Sequence, residues 1–409
     1  MRRNLWLIYA AAWLRSFGIG FLGVVLGVLL FRRGFSSTAI GFVVAAGLAG
    51  AAAGTVFITW RADRIGRRRT LVALSALTSV GAAALIFNLP VPALVALSFV
   101  GMVNGMGKDR SAAYALEQAV IPGLVSDQAR TWTLAWYSLV LDASGALGAL
   151  AAGIPTLAAR RWGVDLGRSY FVLLIGYAVL NVISAGFYLF LSAEVEVSRA
   201  TLPEIAGKAI SAEGKSTVRR ISRLFFIDAF GGGFLVNAIV AYWFFRRFGI
   251  AESGLAVLFF AVHVLNALSH LGAAFLAKRI GLLKTMVFTH LPSSIFLILV
   301  PLAPTATWAI ILFLLRESLV QMDVPTRQSY LAAVVKPSER TYASGITNLT
   351  RNGGWAAASS LAGIFMQQVA FSAPLMLGGG LKIVYDLLLW RGFRHVKPPE
   401  EQISVPGAK

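Results

Sequence analysis

Ala62-Asp-Arg-Ile-Gly-Arg-Arg-Arg-Thr70 and Ala277-Lys-Arg-Ile-Gly-Leu-Leu-Lys-Thr285 carry one nine-residue pattern twice, with Ala, Arg, Ile, Gly and Thr shared at the same places. Each copy follows an apolar stretch long enough to cross a bilayer. A second set of matches keeps a constant offset of 210: Gln118 falls on Gln328, Arg130-Thr131 on Arg340-Thr341, and Ala152-Gly-Ile154 on Ala362-Gly-Ile364. Single coincidences are common among apolar residues, but ordered ones that hold register are not. The chain reads as two parallel halves of one repeat.

Working outward, the composition names the solvent. Of 409 residues, 57% are hydrophobic and 13% charged, with a mean hydropathy of +0.73. A soluble domain carries roughly a quarter charged residues, so lipid has to cover the apolar surface. The net charge of +19 would suggest nucleic acid in a soluble protein. Here no basic segment alternates with aromatic residues on a soluble domain, and nucleic acid is not an expected partner. The sequence has no cysteine, which excludes disulfides, thiolate catalysis and cysteine metal sites. Met1-Arg2-Arg3 before an apolar run could pass for a signal peptide, but the run continues past Arg15 to Leu30. It reads as a retained first span.

Apolar stretches of spanning length run at 4–31, 38–59, 71–88, 93–120, 131–155, 169–191, 221–245, 253–277, 286–303, 306–333, 342–367 and 372–390. The expectation is an all-α integral membrane protein of twelve transmembrane helices in two pseudo-symmetric six-helix bundles. Residues 1–191 would form the first bundle, 192–218 a central loop, 219–392 the second bundle and 393–409 a tail. With the N-terminus inside, 23 of the 37 Lys and Arg fall on the cytoplasmic side, counting Arg223 at the start of span 7, and 7 in the opposite loops. That asymmetry predicts a multi-pass protein of the cytoplasmic membrane with both termini in the cytoplasm.

Asp63-Arg-Ile-Gly-Arg-Arg-Arg69, between spans 2 and 3, resembles the signature loop of the major facilitator superfamily, Gly-x-x-x-Asp-Arg-x-Gly-Arg-Arg/Lys. Thr59 stands where the opening glycine would be, and Lys278 replaces the acid in the second copy. The resemblance extends over the chain through the twelve spans, the central loop and the repeat. It implies a secondary transporter working by alternating access, with Asp63, Arg64, Gly66 and Arg67 as a conformational latch. Independently of the family, Asp63 can accept hydrogen bonds from a neighbouring helix N-terminus, and Arg64 and Arg67 can pair with acids at nearby helix ends. The alternative is that the arginines of this loop set topology and bind anionic lipid.

Charges within spans cost several kcal/mol unless paired or hydrated. The first half has Arg15, Lys108, Asp109, Arg110, Glu117 and Asp142; the second has Asp228, Arg316, Glu317, Asp323, Arg327, Arg351, Lys382 and Asp386. Spans 1, 4, 7 and 10 line the cavity in the superfamily that the chain resembles. The resemblance thus points to Arg15, Lys108, Asp109, Arg110, Arg316 and Glu317 as substrate-binding residues, and to Asp109, Asp228 and Glu317 as proton-coupling acids. Structural ion pairing is the competing reading for each. On a continuous helix Lys108, Asp109 and Arg110 would point about 100° apart. Glu117, Asp323 and Arg327 fall nearer span ends, where snorkelling or a gate between halves are both open. Phe230-Gly-Gly-Gly233 either breaks span 7 or packs it closely. Gly145-Ala-Leu-Gly148 with Gly153-Ile-Pro155 resembles the antiporter pattern of the superfamily only loosely.

His263, His270 and His290 lack metal-ligand spacing and read as helix contacts, so no metal and no cofactor are expected. Trp6, Trp60, Trp162, Trp308 and Trp390 fall near span ends as interface anchors. The leading function is proton-coupled secondary transport of a small organic solute, with efflux antiport favoured, by a monomer and without enzymatic activity. Uptake of an organic anion by symport or uniport is the alternative. A membrane-embedded lipid enzyme is a remote third, since no His/Asp or Cys constellation is present.

Overall fold

The computed structural model describes residues 2–196, 211–335 and 340–394. Much of the expected central loop, residues 197–210, and most of the tail, 395–409, lie outside the described residues; residues 212–218 belong to a helix. The described helices are α1 (Arg2–Arg32), α2 (Ser37–Ile65), α3 (Arg67–Ala84), α4 (Val91–Val100), α5 (Ala112–Val120), α6 (Asp127–Ala151), α7 (Ile154–Trp162) and α8 (Leu166–Leu189). They continue with α9 (Ala212–Gly233), α10 (Asn237–Phe248), α11 (Glu252–Ile280), α12 (Leu282–Leu299), α13 (Ala306–Val320), α14 (Asp323–Val334), α15 (Arg340–Gln368) and α16 (Ala373–Phe393). Taken with their interruptions, these helices make twelve spans. Among the described residues, eight helical segments are long and apolar enough to cross a membrane unaided.

Of the four remaining spans, 4 and 10 are interrupted, whereas α3 and α15 are continuous but less apolar. Span 4 is not the continuous helix expected over 93–120: α4 stops at Gly101, and 101–111 is non-helical before α5 begins at Ala112. Met102 and Gly107 there have φ of 50° and 76°, a region costly for most side chains and free for glycine. Irregular backbone in a membrane protein must be shielded from lipid by protein, and α2 supplies the shield. A Cβ on Gly47 would lie 1.8 Å from the Val103 carbonyl oxygen, and one on Gly50 1.9 Å from that of Phe99. Spans 5, 7 and 10 are divided as well, at 152–153, 234–236 and 321–322. Span 7 therefore both breaks and packs: the break follows directly on the three glycines, and Gly233 lies against Trp355 and Ala358.

The chain forms two compact units. The first comprises Met1–Gly207, Gly233–His263 and Trp355–Ala373; the second comprises Lys208–Gly232, Val264–Gly354 and Pro374–Lys409. In the first, α1 is central. It crosses α6 at Gly20 and Gly145, and Ser16 and Ser144 donate to the carbonyls of Leu141 and Trp13 at 2.8 and 2.5 Å. Small residues that let backbones approach, with hydroxyls bonded across the gap, are how helices associate in lipid. The loose antiporter resemblance at 145–148 thus coincides with the seat of α1. The second unit packs Phe225, Met286, Tyr330, Tyr385 and Leu389 into its own core. Trp6, Trp60 and Trp162 are 72, 73 and 71% exposed, as expected of side chains that meet the bilayer rather than protein.

Candidate functional site

Each unit buries a cluster of charges that joins several helices. In the first, the non-helical stretch of span 4 carries Asp109 to Arg15 on α1, with Nε to Oδ2 at 2.8 Å. The same guanidinium reaches Glu117 on α5 through Nη1 at 3.2 Å and Nη2 at 2.5 Å. The hydroxyls of Tyr137 on α6 and Tyr188 on α8 donate to Glu117 at 2.6 and 2.5 Å. Glu117 is fully buried and Arg15 and Asp109 nearly so. Snorkelling is therefore overturned for Glu117, which holds the cluster together from inside. The fan of side chains expected for Lys108, Asp109 and Arg110 does not apply, because no helix exists there. Asp109 also accepts from the Ser111 backbone amide at 3.0 Å, while Arg110 lies 5.8 Å over the Tyr114 ring. Lys108 is half-buried, and its carbonyl accepts from Asn104 Nδ2 at 3.0 Å.

The interruptions of spans 4 and 7 meet inside this unit. The amide of Ala238, in the first turn of α10, donates to the carbonyl of Gly105 at 3.0 Å. An added Cβ on Gly23 would lie 2.5 Å from the Cα of Gly107. Two broken helices and α1 thus converge, and unwound backbone beside a buried acid is the arrangement that lets a membrane protein hold a polar ligand.

The second unit centres on Asp228 of α9. Its Oδ1 accepts from Lys382 Nζ of α16 at 2.7 Å, and its Oδ2 lies 3.4 Å from Arg327 Nη1 of α14 and 3.7 Å from Arg351 Nη1 of α15. Arg327 also binds Asp323, one turn before it, at 2.5 Å. His290 of α12 pairs through Nδ1 with Asp386 at 2.9 Å, and its Nε2 lies 3.4 Å from Lys382 and 3.8 Å from Asp228. Asp323 and Arg327 are buried, so snorkelling is overturned for them too. The predicted pair Arg316 and Glu317 on α13 bind each other, and among the described residues Arg316 Nε has no partner. No group of His, Cys, Asp and Glu suited to a metal occurs among the described residues.

At the signature loop, Gly66 turns from α2 to α3 with φ 108°. Asp63 does not cap a neighbouring helix as expected: its Oδ1 accepts from Arg67 Nε at 2.7 Å. The carboxylate at the α3 N-terminus is Glu196, which takes the amides of Arg67 and Arg68 at 2.6 and 3.1 Å. Arg64 is exposed.

Sequence reasoning missed one ion pair altogether. Arg32, at the end of α1, and Glu252, at the start of α11, form a two-point contact at 2.6 and 3.1 Å, and Tyr170 donates to the same carboxylate at 2.5 Å. Glu252 is fully buried. Nearby, Ser37 and Tyr242 share a hydrogen bond of 2.9 Å and Arg246 lies 4.4 Å over the Phe31 ring. The pair joins the two sequence halves within the first unit. An acid at the first turn of an otherwise apolar span was the available signal.

Comparison with known proteins agrees with this architecture. A family model described as Major Facilitator Superfamily matches residues 8–320 and 221–409. An uncharacterized membrane protein of Saccharomyces cerevisiae is 26% identical over 418 residues, covering 95% of this chain and 93% of its own. Among solved structures, the nucleoside transporter NupG superposes with a TM-score of 0.73 at 11% identity, covering 97% of this chain and 100% of that one. A D-xylose–proton symporter gives 0.72 at 16%, over 95 and 98%. With the repeat, twelve spans and signature loop that the sequence carries, these matches place the chain in the major facilitator superfamily.

Proposed function

We propose that this multi-pass membrane protein is a secondary transporter of a small organic solute, working by alternating access and coupled to protons, with efflux by antiport as the preferred direction. It acts as a monomer in the cytoplasmic membrane with both termini in the cytoplasm, and uptake of an organic anion is the alternative. The observation that carries the reading is the meeting of the broken spans 4 and 7 beside Asp109. A polar, irregular interior costs free energy in a membrane, so a chain that keeps one is expected to use it. The nucleoside and xylose transporters share the fold at identities too low to carry their solutes over.

The first cluster supports the proton. One guanidinium, Arg15, faces two carboxylates, and Glu117 takes four donors whereas Asp109 takes one arm of Arg15 and one backbone amide. Asp109 is the acid better able to exchange Arg15 for a proton or for a solute cation. Arg15 is engaged twice over, which weakens the sequence-based lean towards an anionic solute.

The test begins with a thermal-shift panel of metabolites and drugs to find a solute. A site ligand at a hundredfold excess over Kd stabilises by about 2.7 kcal/mol. In proteoliposomes, that solute should drive saturable counterflow together with proton flux reported by an entrapped dye. Asp109→Asn should keep counterflow and lose the proton flux. Full proton coupling in Asp109→Asn, or solute movement that neither saturates nor shows counterflow, would overturn the proposal.

A further inference from the structure

A site of a different kind lies on the surface of the second unit. α9 carries Lys215, Arg219 and Arg223 at intervals of four residues, which stacks them in one stripe down the helix. All three are exposed. They form a wall of a groove of about 620 Å³ that Ser222 and Phe226 of α9 and Ile346 of α15 also line. Among the described residues no carboxylate lines it, so three like charges stand in a row, where each repels the next. Arg220, on another side of the helix, shows the contrast: it donates to the Gly392 carbonyl at 3.0 Å and lies 4.9 Å over the Phe393 ring. Ser222 adds an independent mark. It is 6% exposed, and its hydroxyl has no hydrogen-bond partner among the described residues. Such a hydroxyl is open to a hydrogen bond with a group seated in the groove.

We propose that this groove binds the phosphate group of an anionic phospholipid. The three cations attract a phosphodiester's single negative charge, and the Ser222 hydroxyl can donate to one of its oxygens. Phe226, 41% exposed, and Ile346 give the glycerol and the upper acyl chain an apolar wall. Depth agrees with a lipid. The cations lie about 5 to 17 Å along the helix from Ala212, at 1.5 Å per residue, in the opening turns of the segment Ala212–Phe248 that is apolar enough to span a bilayer. Long basic side chains there hold their charges at headgroup level. A free phosphate ion shares the headgroup's chemistry but has no use for the apolar wall.

The experiment is native mass spectrometry of the purified protein with equal amounts of dioleoylphosphatidylglycerol and dioleoylphosphatidylcholine. The wild type should retain the anionic lipid at least about tenfold over the zwitterionic one, since each cation near an anionic headgroup contributes roughly fivefold. The triple variant Lys215→Gln, Arg219→Gln, Arg223→Gln should lose that preference. Should it fail to fold, the single variants Arg219→Gln and Ser222→Ala, which disturb only the groove, should each lower phosphatidylglycerol retention severalfold. Inorganic phosphate alone distinguishes the source: no protection from thermal unfolding fits the lipid, and protection equal to that from phosphatidylglycerol makes free phosphate the ligand and overturns the lipid assignment. Equal retention of the two lipids by the wild type, or an unchanged preference in the folded variants, overturns the site itself.

Discussion

Asp228→Asn should lower the stability of the detergent-solubilised protein by about 3–5 kcal/mol, the usual cost of removing one partner from a buried ion pair. The carboxylate is the shared acceptor for Lys382, Arg327 and Arg351, so its loss withdraws one negative charge from cations on three helices at once. Asp386 cannot compensate, because both of its oxygens lie within 3.0 Å of His290 Nδ1. The signature of this reading is partial rescue: Asp228→Asn with Lys382→Met removes a stranded charge together with its partner and should recover part of the loss. Thermal unfolding followed by size-exclusion chromatography reads both variants. A single mutant of wild-type stability would mean that the cluster is hydrated and weak, and a double mutant no better than the single would mean that Lys382 is not its principal partner.

Arg15→Leu should be nearly as damaging, with a different dependence on pH. Wild-type Arg15 lies between Asp109 and Glu117 and pairs with both; without it two buried carboxylates are left with no cation between them. The cost at neutral pH is again about 3–5 kcal/mol. Protons can stand in for the missing guanidinium, so the variant should regain stability as the solution is made acid, a recovery that the wild type has no reason to show. Arg15→Lys should not restore the wild type, because a single ammonium cannot bridge the two acids as a planar fork does. Thermal unfolding across a pH series checks the slope. A flat profile for Arg15→Leu would show that water already reaches the two acids.

Much of this architecture was legible in the sequence, for physical reasons. Hydropathy is a composition property, so the twelve spans could be read off runs of apolar residues, and the duplicated Ala62–Thr70 pattern gave the repeat. The intramembrane charges announced themselves by their cost. Their partners did not. Arg15 meets Asp109 and Glu117 across 94 and 102 residues, and Asp228 meets Lys382 across 154. Such pairings are fixed by which helix faces turn towards each other, and no periodicity in one span records that. Glu117 and Arg327 illustrate the consequence: their place near span ends suggested water, while packing against Tyr137 or Asp228 buried them.

The break in span 4 was hidden differently. Residues 101–111 hold three glycines and the charged Lys108-Asp109-Arg110, but they sit between two apolar runs that read as one span, and the close approach that shields the unwinding lies on α2, at Gly47 and Gly50. Span 7 was half legible, since three glycines in a row advertise either a break or a close approach and the structure uses both. Glu252 went unnoticed because a lone acid at a span boundary resembles an ordinary loop charge until Arg32 and Tyr170 are seen around it.

Alternating access is the central claim, and the seam held by Arg32 and Glu252 is where it can be tested most directly. The native sequence contains no cysteine, so nitroxide labels can be placed at Asn88→Cys and Arg247→Cys, both exposed, without background labelling. Pulsed dipolar spectroscopy on the doubly labelled protein in lipid should resolve two distance populations, and Glu252→Gln, which removes the charge that holds Arg32, should raise the share of the longer one. A single distance that neither a change of pH nor Glu252→Gln alters would contradict alternating access at this seam.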